Sequence, residues 1–263
     1  MTFSVDHDFH IHSFLSRCSD DAAQTPEAML SYAARFGLKK ICVTDHFWDA
    51  RVLGANAWYQ GQDLDHLRSI LPLPEGEIRF CFGAETEMDR SFRLGIAPQT
   101  FDAFDFVIIP TTHLHMSGFT IQEGASEADR ARLWVERLDA LLKMPLPWRK
   151  IGIAHLTTPL IGGNDRTMHL RILERLEEKQ IRSLFWRAAR AGVGIELNFD
   201  SFSYTEGELA VVLRIYRLAK EAGCKFYLGS DAHHPRSFDR AADNFEHIIG
   251  LLDLQESDKF DFE

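Results

Sequence analysis

Seven short apolar runs rich in Ile, Val and Phe recur along the chain, with helix-period segments between them, and this alternation restricts the fold more than any other feature. The runs are Phe3 to Phe9, Lys40 to Thr44, Ile78 to Gly83, Phe104 to Pro110, Lys150 to Ala154, Val193 to Leu197 and Lys225 to Gly229. Near-continuous apolar runs mark strands buried on both faces, as in a parallel sheet covered by helices. Helical periodicity covers Pro26 to Phe36, Gln62 to Leu71, Ser126 to Leu142, His169 to Ala191, Glu206 to Ala222 and Arg240 to Leu252. Thr25 and Pro26 open the first helix and Gly37 closes it, as Gly192 and Gly223 close two later ones. The pattern predicts an α/β fold with right-handed crossovers. Seven units in 263 residues predict a distorted (β/α)7 TIM-like barrel, one unit short of the usual eight, with a doubly wound open sheet as the alternative. Without an internal repeat or a Gly/Ser linker, residues 1–263 are expected to form one domain.

Composition narrows the function. A formal net charge of -10 repels polyanions, so nucleic acid is disfavoured as a partner. Cys18, Cys42, Cys81 and Cys224 show no C-x-x-C spacing, and the Met1 end lacks a signal-peptide pattern, so a reduced, cytoplasmic protein is expected. No apolar run approaches the roughly 18 to 20 residues that span a bilayer, so no membrane partner is expected.

The 12 histidines matter through their placement. The first strand runs into His10-Ile-His12, the second into Asp45-His46 and the third into Glu85-Thr-Glu87. His113-Leu-His115 follows the fourth, His155 the fifth, and Asp231-Ala-His233-His234 the seventh, while Glu196 and Asn198 lie at the sixth. In a parallel barrel all strands end on one face, so these side chains converge on one pocket there. Imidazoles mixed with carboxylates suit Zn, Mn or Fe, whereas Ca or Mg sites are nearly all oxygen. Residues i and i+2 of an extended segment share a side, so His10 with His12, and Asp231 with His233, can each reach one ion. Glu85 and Asp231 are the carboxylates able to bridge two ions.

The set Asp8-Phe-His10-Ile-His12-Ser13, Thr44-Asp45-His46, Gly83-Ala-Glu85, His113, His155 and Gly229-Ser-Asp231-Ala-His233 resembles the PHP (polymerase and histidinol phosphatase) family. The resemblance implies a trinuclear centre of two to three divalent transition-metal ions that hydrolyses phosphate esters. It places one ion on His10, His12, Glu85 and Asp231, and a second on Glu85, His113 and His155. A third falls to His46, His233 and a residue after His12, where relatives carry His or Asp and this chain has Cys18, with Asp20 as the competing ligand. Asp231, Glu85 and His233 are the expected catalytic residues. Arg17 and Arg236, nearest the motifs among the loop arginines, are the expected phosphate-binding groups. Asp45 is expected to orient His46 or a water, or to cap its loop; Glu87, His115 and His234 are read as pocket-wall or solvated residues.

Metal-activated water needs no protein nucleophile, and neither a G-x-S-x-G elbow nor a P-loop competes with it. The expected activity is hydrolysis of a small phosphomonoester, histidinol-phosphatase-like. The alternative is a nuclease or phosphodiesterase acting on short oligonucleotides or cyclic nucleotides. A non-enzymatic metal-binding module is disfavoured because the first two sites keep every ligand.

Overall fold

The computed structural model describes residues 1–262. Its strands are β1 (His7–Ile11), β2 (Lys40–Val43), β3 (His46–Phe47), β4 (Arg79–Thr86), β5 (Phe106–Pro110), β6 (Ile151–Ala154), β7 (Gly194–Leu197) and β8 (Lys225–Leu228). Helices α1 (Pro26–Phe36), α2 (Leu64–Arg68), α3 (Glu127–Leu141), α4 (Arg166–Arg175), α5 (Glu178–Ala191), α6 (Glu206–Glu221) and α7 (Ala241–Leu252) cover them. All pairings are parallel in the order β1-β2-β4-β5-β6-β7-β8, with the two-residue β3 added beside the end of β4.

Seven strands thus form a nearly closed TIM-like barrel, and the open-sheet alternative is excluded by how its ends meet. His12 N–H donates to Ala232 O at 3.0 Å and Asp231 N–H to His10 O at 2.8 Å. Lower down, the backbone ladder gives way to a side chain, with Leu228 N–H donating to His7 Nε2 at 3.0 Å. The β1–β2 register slips between Asp8 and Ile11. At this irregularity Phe9 joins an aromatic cluster at the N-terminal end of the barrel, while the next residue, His10, joins a polar one at the other end. Phe260 and Phe262 close the aromatic end; Phe262 stacks on Phe106 at 4.6 Å.

The caps follow the sequence. Thr25 Oγ1 accepts from Ala28 N–H at 3.3 Å, and Gly37 takes the left-handed conformation at φ 69° that ends α1. Several boundaries differ from expectation, and β4 runs past the expected end at Gly83 to Thr86, so that it includes Glu85. β1 starts at His7, because Phe3 is tied to Leu254 O at the other end of the chain. The helix expected over Gln62 to Leu71 keeps only Leu64–Arg68. The long helix expected over His169 to Ala191 is two helices, since Leu176 is extended at ψ 122° and the Arg214 guanidinium takes the freed carbonyls of Leu173 and Leu176. Neither Gly nor Pro marks that break. No helix among the described residues is long and apolar enough to cross a membrane.

Candidate metal centre

Glu85 belongs to β4 itself, paired across from His46 of β3, and its carboxylate lies at the middle of the cluster. Its Oε2 is 2.8 Å from His46 Nδ1, 3.5 Å from His12 Nε2 and 3.8 Å from His10 Nε2. Its Oε1 is 3.2 Å from His155 Nε2 and 3.9 Å from His113 Nε2. Asp231 Oδ1 stands 3.1 Å from His12 Nε2 and 3.3 Å from His10 Nε2. Three groups have their ligand atoms within 4.8 Å of one another: His10 with His12 and Asp231, His10 with Glu85 and His155, and His12 with His46 and His233. The ligands expected from separate strands therefore meet at one end of the barrel.

Local backbone geometry serves this convergence. His155 and Asp231 both sit in the left-handed region, at φ 61° and 53°, which non-glycine residues seldom adopt. Such strain persists where the surroundings enforce it, and here His155 N–H donates to Glu196 Oε2 at 3.0 Å while Asp231 is tied into β1. At Gly229 a Cβ would collide with the Glu196 carboxylate and the His10 side chain, so only glycine leaves room for that contact.

The rings are oriented from behind. His10 Nδ1 is bonded to Glu196 Oε1. His12 Nδ1 is 2.9 Å from Ser16 Oγ, which spends its own proton on Asp45 Oδ1 at 2.6 Å, so the ring is the donor. His113 Nδ1 faces Glu87 Oε2 at 2.9 Å, and His233 Nδ1 the backbone oxygen of Asp231 at 2.8 Å. With Nδ1 donating to an acceptor, each Nε2 is left with a lone pair. Holding the outer nitrogen of an imidazole by a carboxylate, hydroxyl or carbonyl is how proteins orient metal-ligating histidines.

Those lone pairs meet each other. His10 Nε2 and His12 Nε2 are 3.0 Å apart, both turned to Asp231 Oδ1. His46 Nδ1 and Glu85 Oε2, although 2.8 Å apart, make no hydrogen bond in any direction. Buried donors and acceptors without partners are rare, and facing lone pairs repel unless a proton or a metal ion lies among them. The donor set therefore fits divalent ions of the borderline class.

Electrostatics agree. Burial opposes charge on His10, His46 and His155, yet carboxylates outweigh it. Glu196, Asp231 and Glu85 raise His10 well above an ordinary histidine, Glu85 with Cys18 brings His46 to about 10, and Glu196 with Asp231 brings His155 to about 9. His12 goes the other way, because burial is reinforced by His233 and His46. Against the desolvation penalty, neighbouring imidazoles hold Glu85 and Asp231 well below the carboxylate range. Positive charge is in demand throughout the cluster.

Cys18, exposed at the mouth of the pocket that His46 and His233 line, has its thiol drawn down to about 7 by those two imidazoles, which outweigh the opposing desolvation. Asp20 is exposed outside the cluster, and the neighbouring Asp21 instead pairs with His234 at 2.7 Å. Neither expected phosphate-binding arginine is brought in. The Arg17 guanidinium donates to Ala57 O and Gln60 O, each at 2.7 Å, and Arg236 is exposed on the turn after His234. Asp45 orients His12 through Ser16 rather than His46.

Sequence reasoning passed over Glu196 as an anchor and Arg137 altogether. Arg137, fully buried on α3, donates to Glu87 Oε1 at 3.0 Å and so steadies the carboxylate behind His113. It is three residues beyond Trp134 and four before Leu141 on the buried stripe, and a charge on an apolar stripe was the available signal.

The PHP domain profile matches residues 8–198. The chain is similar in fold to a histidinol phosphate phosphatase from Lactococcus lactis solved with zinc, L-histidinol and phosphate: 17% identity, 97% of this chain and 98% of that one covered, TM-score 0.59. It also resembles a dihydropteroate synthase from Coxiella burnetii solved with pteroic acid, at 11% identity, 95% coverage of each chain and TM-score 0.50. No match was found among curated protein sequences.

Proposed function

The chain belongs to the PHP domain family and is a metal-dependent phosphoesterase, and from that premise we propose that it hydrolyses small phosphate monoesters, as an enzyme of the histidinol-phosphatase-like kind. The observation that carries this reading is the inward convergence of His10, His12, Glu85 and Asp231 on one buried point, where Glu85 Oε2 and His46 Nδ1 are left without hydrogen-bond partners. One ion is assigned to His10, His12, Glu85 and Asp231, a second to Glu85, His113 and His155, and a third to His46, His233 and Cys18. Zn, Mn and Fe all suit these donors. When bound, such ions supply positive charge to the phosphoryl oxygens and acidify water toward neutral pH.

The protein's own part is positional. Glu196, Ser16 and Glu87 fix three rings so that their Nε2 atoms need no rearrangement during the reaction. Glu85 and Asp231 are the catalytic carboxylates, holding the cluster together from β4 and from the loop after β8. His233, partly exposed at the pocket mouth with its Nδ1–H spent on the Asp231 backbone oxygen, would act through the ion it would hold with His46 and Cys18.

The test is a panel of phosphomonoesters, cyclic phosphodiesters and short oligonucleotides assayed with Mn or Zn, alongside elemental analysis of protein purified without chelator. Two to three ions per chain and chelator-sensitive monoester turnover are expected. Preference for oligonucleotides or cyclic esters transfers the protein to the phosphodiesterase reading, and one ion or none breaks the metal assignment.

A further inference from the structure

Resting on that monoesterase reading, we propose that the alcohol released is neutral and aromatic, so that the substrate is the phosphate ester of an aryl-alkyl alcohol without an ammonium group. Over the metal-ligating cluster lies a cavity of about 460 Å³. Its walls beyond the ligands are Asn56, Trp58, Tyr59, His115, Met116 and Leu160. No lysine or arginine lines it, and its two carboxylates, Glu85 and Asp231, already face imidazoles. An ammonium brought in here loses water without gaining a counter-charge, which opposes binding strongly. A polyanion finds no cation outside the centre itself, which sets longer nucleic acid aside.

The wall is built rather than incidental. Tyr59 is fully buried, 5.8 Å from the Trp48 ring and 5.7 Å from Phe119. Trp58 stands edge-on to Tyr59 at 4.7 Å and edge-on to His46 at 4.8 Å, which joins the aromatic shelf to the centre. The backbone under it is pinned at both sides. Arg17 takes the carbonyls of Ala57 and Gln60, and Gln62 Nε2 donates to Trp58 O at 3.0 Å. Asn56, the polar residue of this loop, spends its Oδ1 on Tyr59 N–H at 2.9 Å. The arginine expected to hold phosphate thus shapes the wall against which the organic part rests. A preformed apolar cavity with its polar groups gathered at one end fixes orientation through the phosphate and selects by the fit of the remainder.

The experiment compares 3-phenylpropyl phosphate, its 2-amino analogue and methyl phosphate as substrates of the metal-loaded protein. In parallel, calorimetry measures binding of the corresponding phosphonates, which cannot be hydrolysed. The neutral aromatic ester should exceed the amino ester in kcat/KM by at least about tenfold, with phosphonate affinities in the same order. Trp58→Ala should collapse the ratio of aromatic to methyl ester, and Trp58→Phe should keep most of it. Equal or better use of the amino ester, as a cation resting on the Trp58 face would produce, overturns the proposal. So does an aromatic preference untouched by Trp58→Ala. If no monoester is turned over, the monoesterase reading fails, while the phosphonate affinities still decide the pocket's preference.

Discussion

Behind His10, His12 and His113, each ring is gripped by a side chain that is itself anchored or distant in sequence: Glu196, the nearby Ser16 backed by Asp45, and Glu87 backed by Arg137. Around His46, His233 and Cys18 the grip is different, because His46 leans on Glu85, His233 on a backbone oxygen, and the thiol on the two imidazoles. The most open histidine of the cluster is also on this outer side, where 28% of the His233 side chain meets solvent, although His46 beside it is buried and Asp231 is as open as His233. A ligand held by a buried, hydrogen-bonded carboxylate loses little freedom when an ion arrives; one held by other ligands must be ordered at that moment. On the proposed assignment, the inner flank would therefore retain its ions and the outer flank would yield one first.

The largest effect falls where the flanks meet. Glu85 touches rings on both, so Glu85→Ala should lower phosphoester hydrolysis by about a thousandfold or more and leave more than one ion missing on elemental analysis. A variant that keeps its ions and its rate would show that Glu85 joins nothing.

Next comes the inner flank alone. Both oxygens of Glu196 accept, one from His10 Nδ1–H and one from His155 N–H. In Glu196→Gln one of them becomes an amide that faces another donor. Metal affinity measured by chelator competition should fall about 10- to 100-fold. An unchanged affinity would mean that ring orientation contributes nothing, and the contrast between the flanks would lose its basis.

The convergence of the inner flank's histidines and carboxylates was legible in the sequence and its supports were not, for a reason that the contacts make plain. His10, Glu85, His155 and Asp231 lie in or just after strands that the apolar runs mark, and barrel topology alone brings strand ends together. The bond from His10 to Glu196 spans 186 residues, and the one from Arg137 to Glu87 spans 50. Nothing periodic links such pairs; a carboxylate inside a buried strand or an arginine on a buried helix stripe shows only that a partner exists. The register slip in β1, which lets adjacent Phe9 and His10 serve opposite ends of the barrel, is likewise set by pairing with β2 and has no local mark. The break between α4 and α5 depends on Arg214, nearly forty residues on, filling the freed carbonyls.

On the outer flank, Cys18→Ala should lower the affinity for one ion by about tenfold or more and leave the others in place, as elemental analysis after graded dialysis against chelator would read. Asp20→Ala should change nothing, because that side chain is exposed away from the cluster. The reverse pattern would pass the ligand role to Asp20.

The smallest effect is also the most direct probe of the outer flank. Desolvation pushes the Cys18 thiol up, but the neighbouring His233 and His46 imidazoles outweigh it and bring it down to about 7. Thiolate is the form that reacts with iodoacetamide, so in chelator-treated protein the alkylation rate should rise with pH and reach half its plateau near 7. An ordinary thiol reaches it at about 8.5. Cys42, Cys81 and Cys224 are buried, so in the folded protein the reaction reports on Cys18. His233→Ala removes one of the two imidazoles that stabilise the thiolate and should move the half-point upward. Saturating Zn should suppress alkylation across the range, because the sulfur lone pair is then occupied. A half-point at the ordinary value, unmoved by His233→Ala and by Zn, would show that the thiol stands free of both rings and would leave the outer flank with two histidines and no third protein ligand of its own.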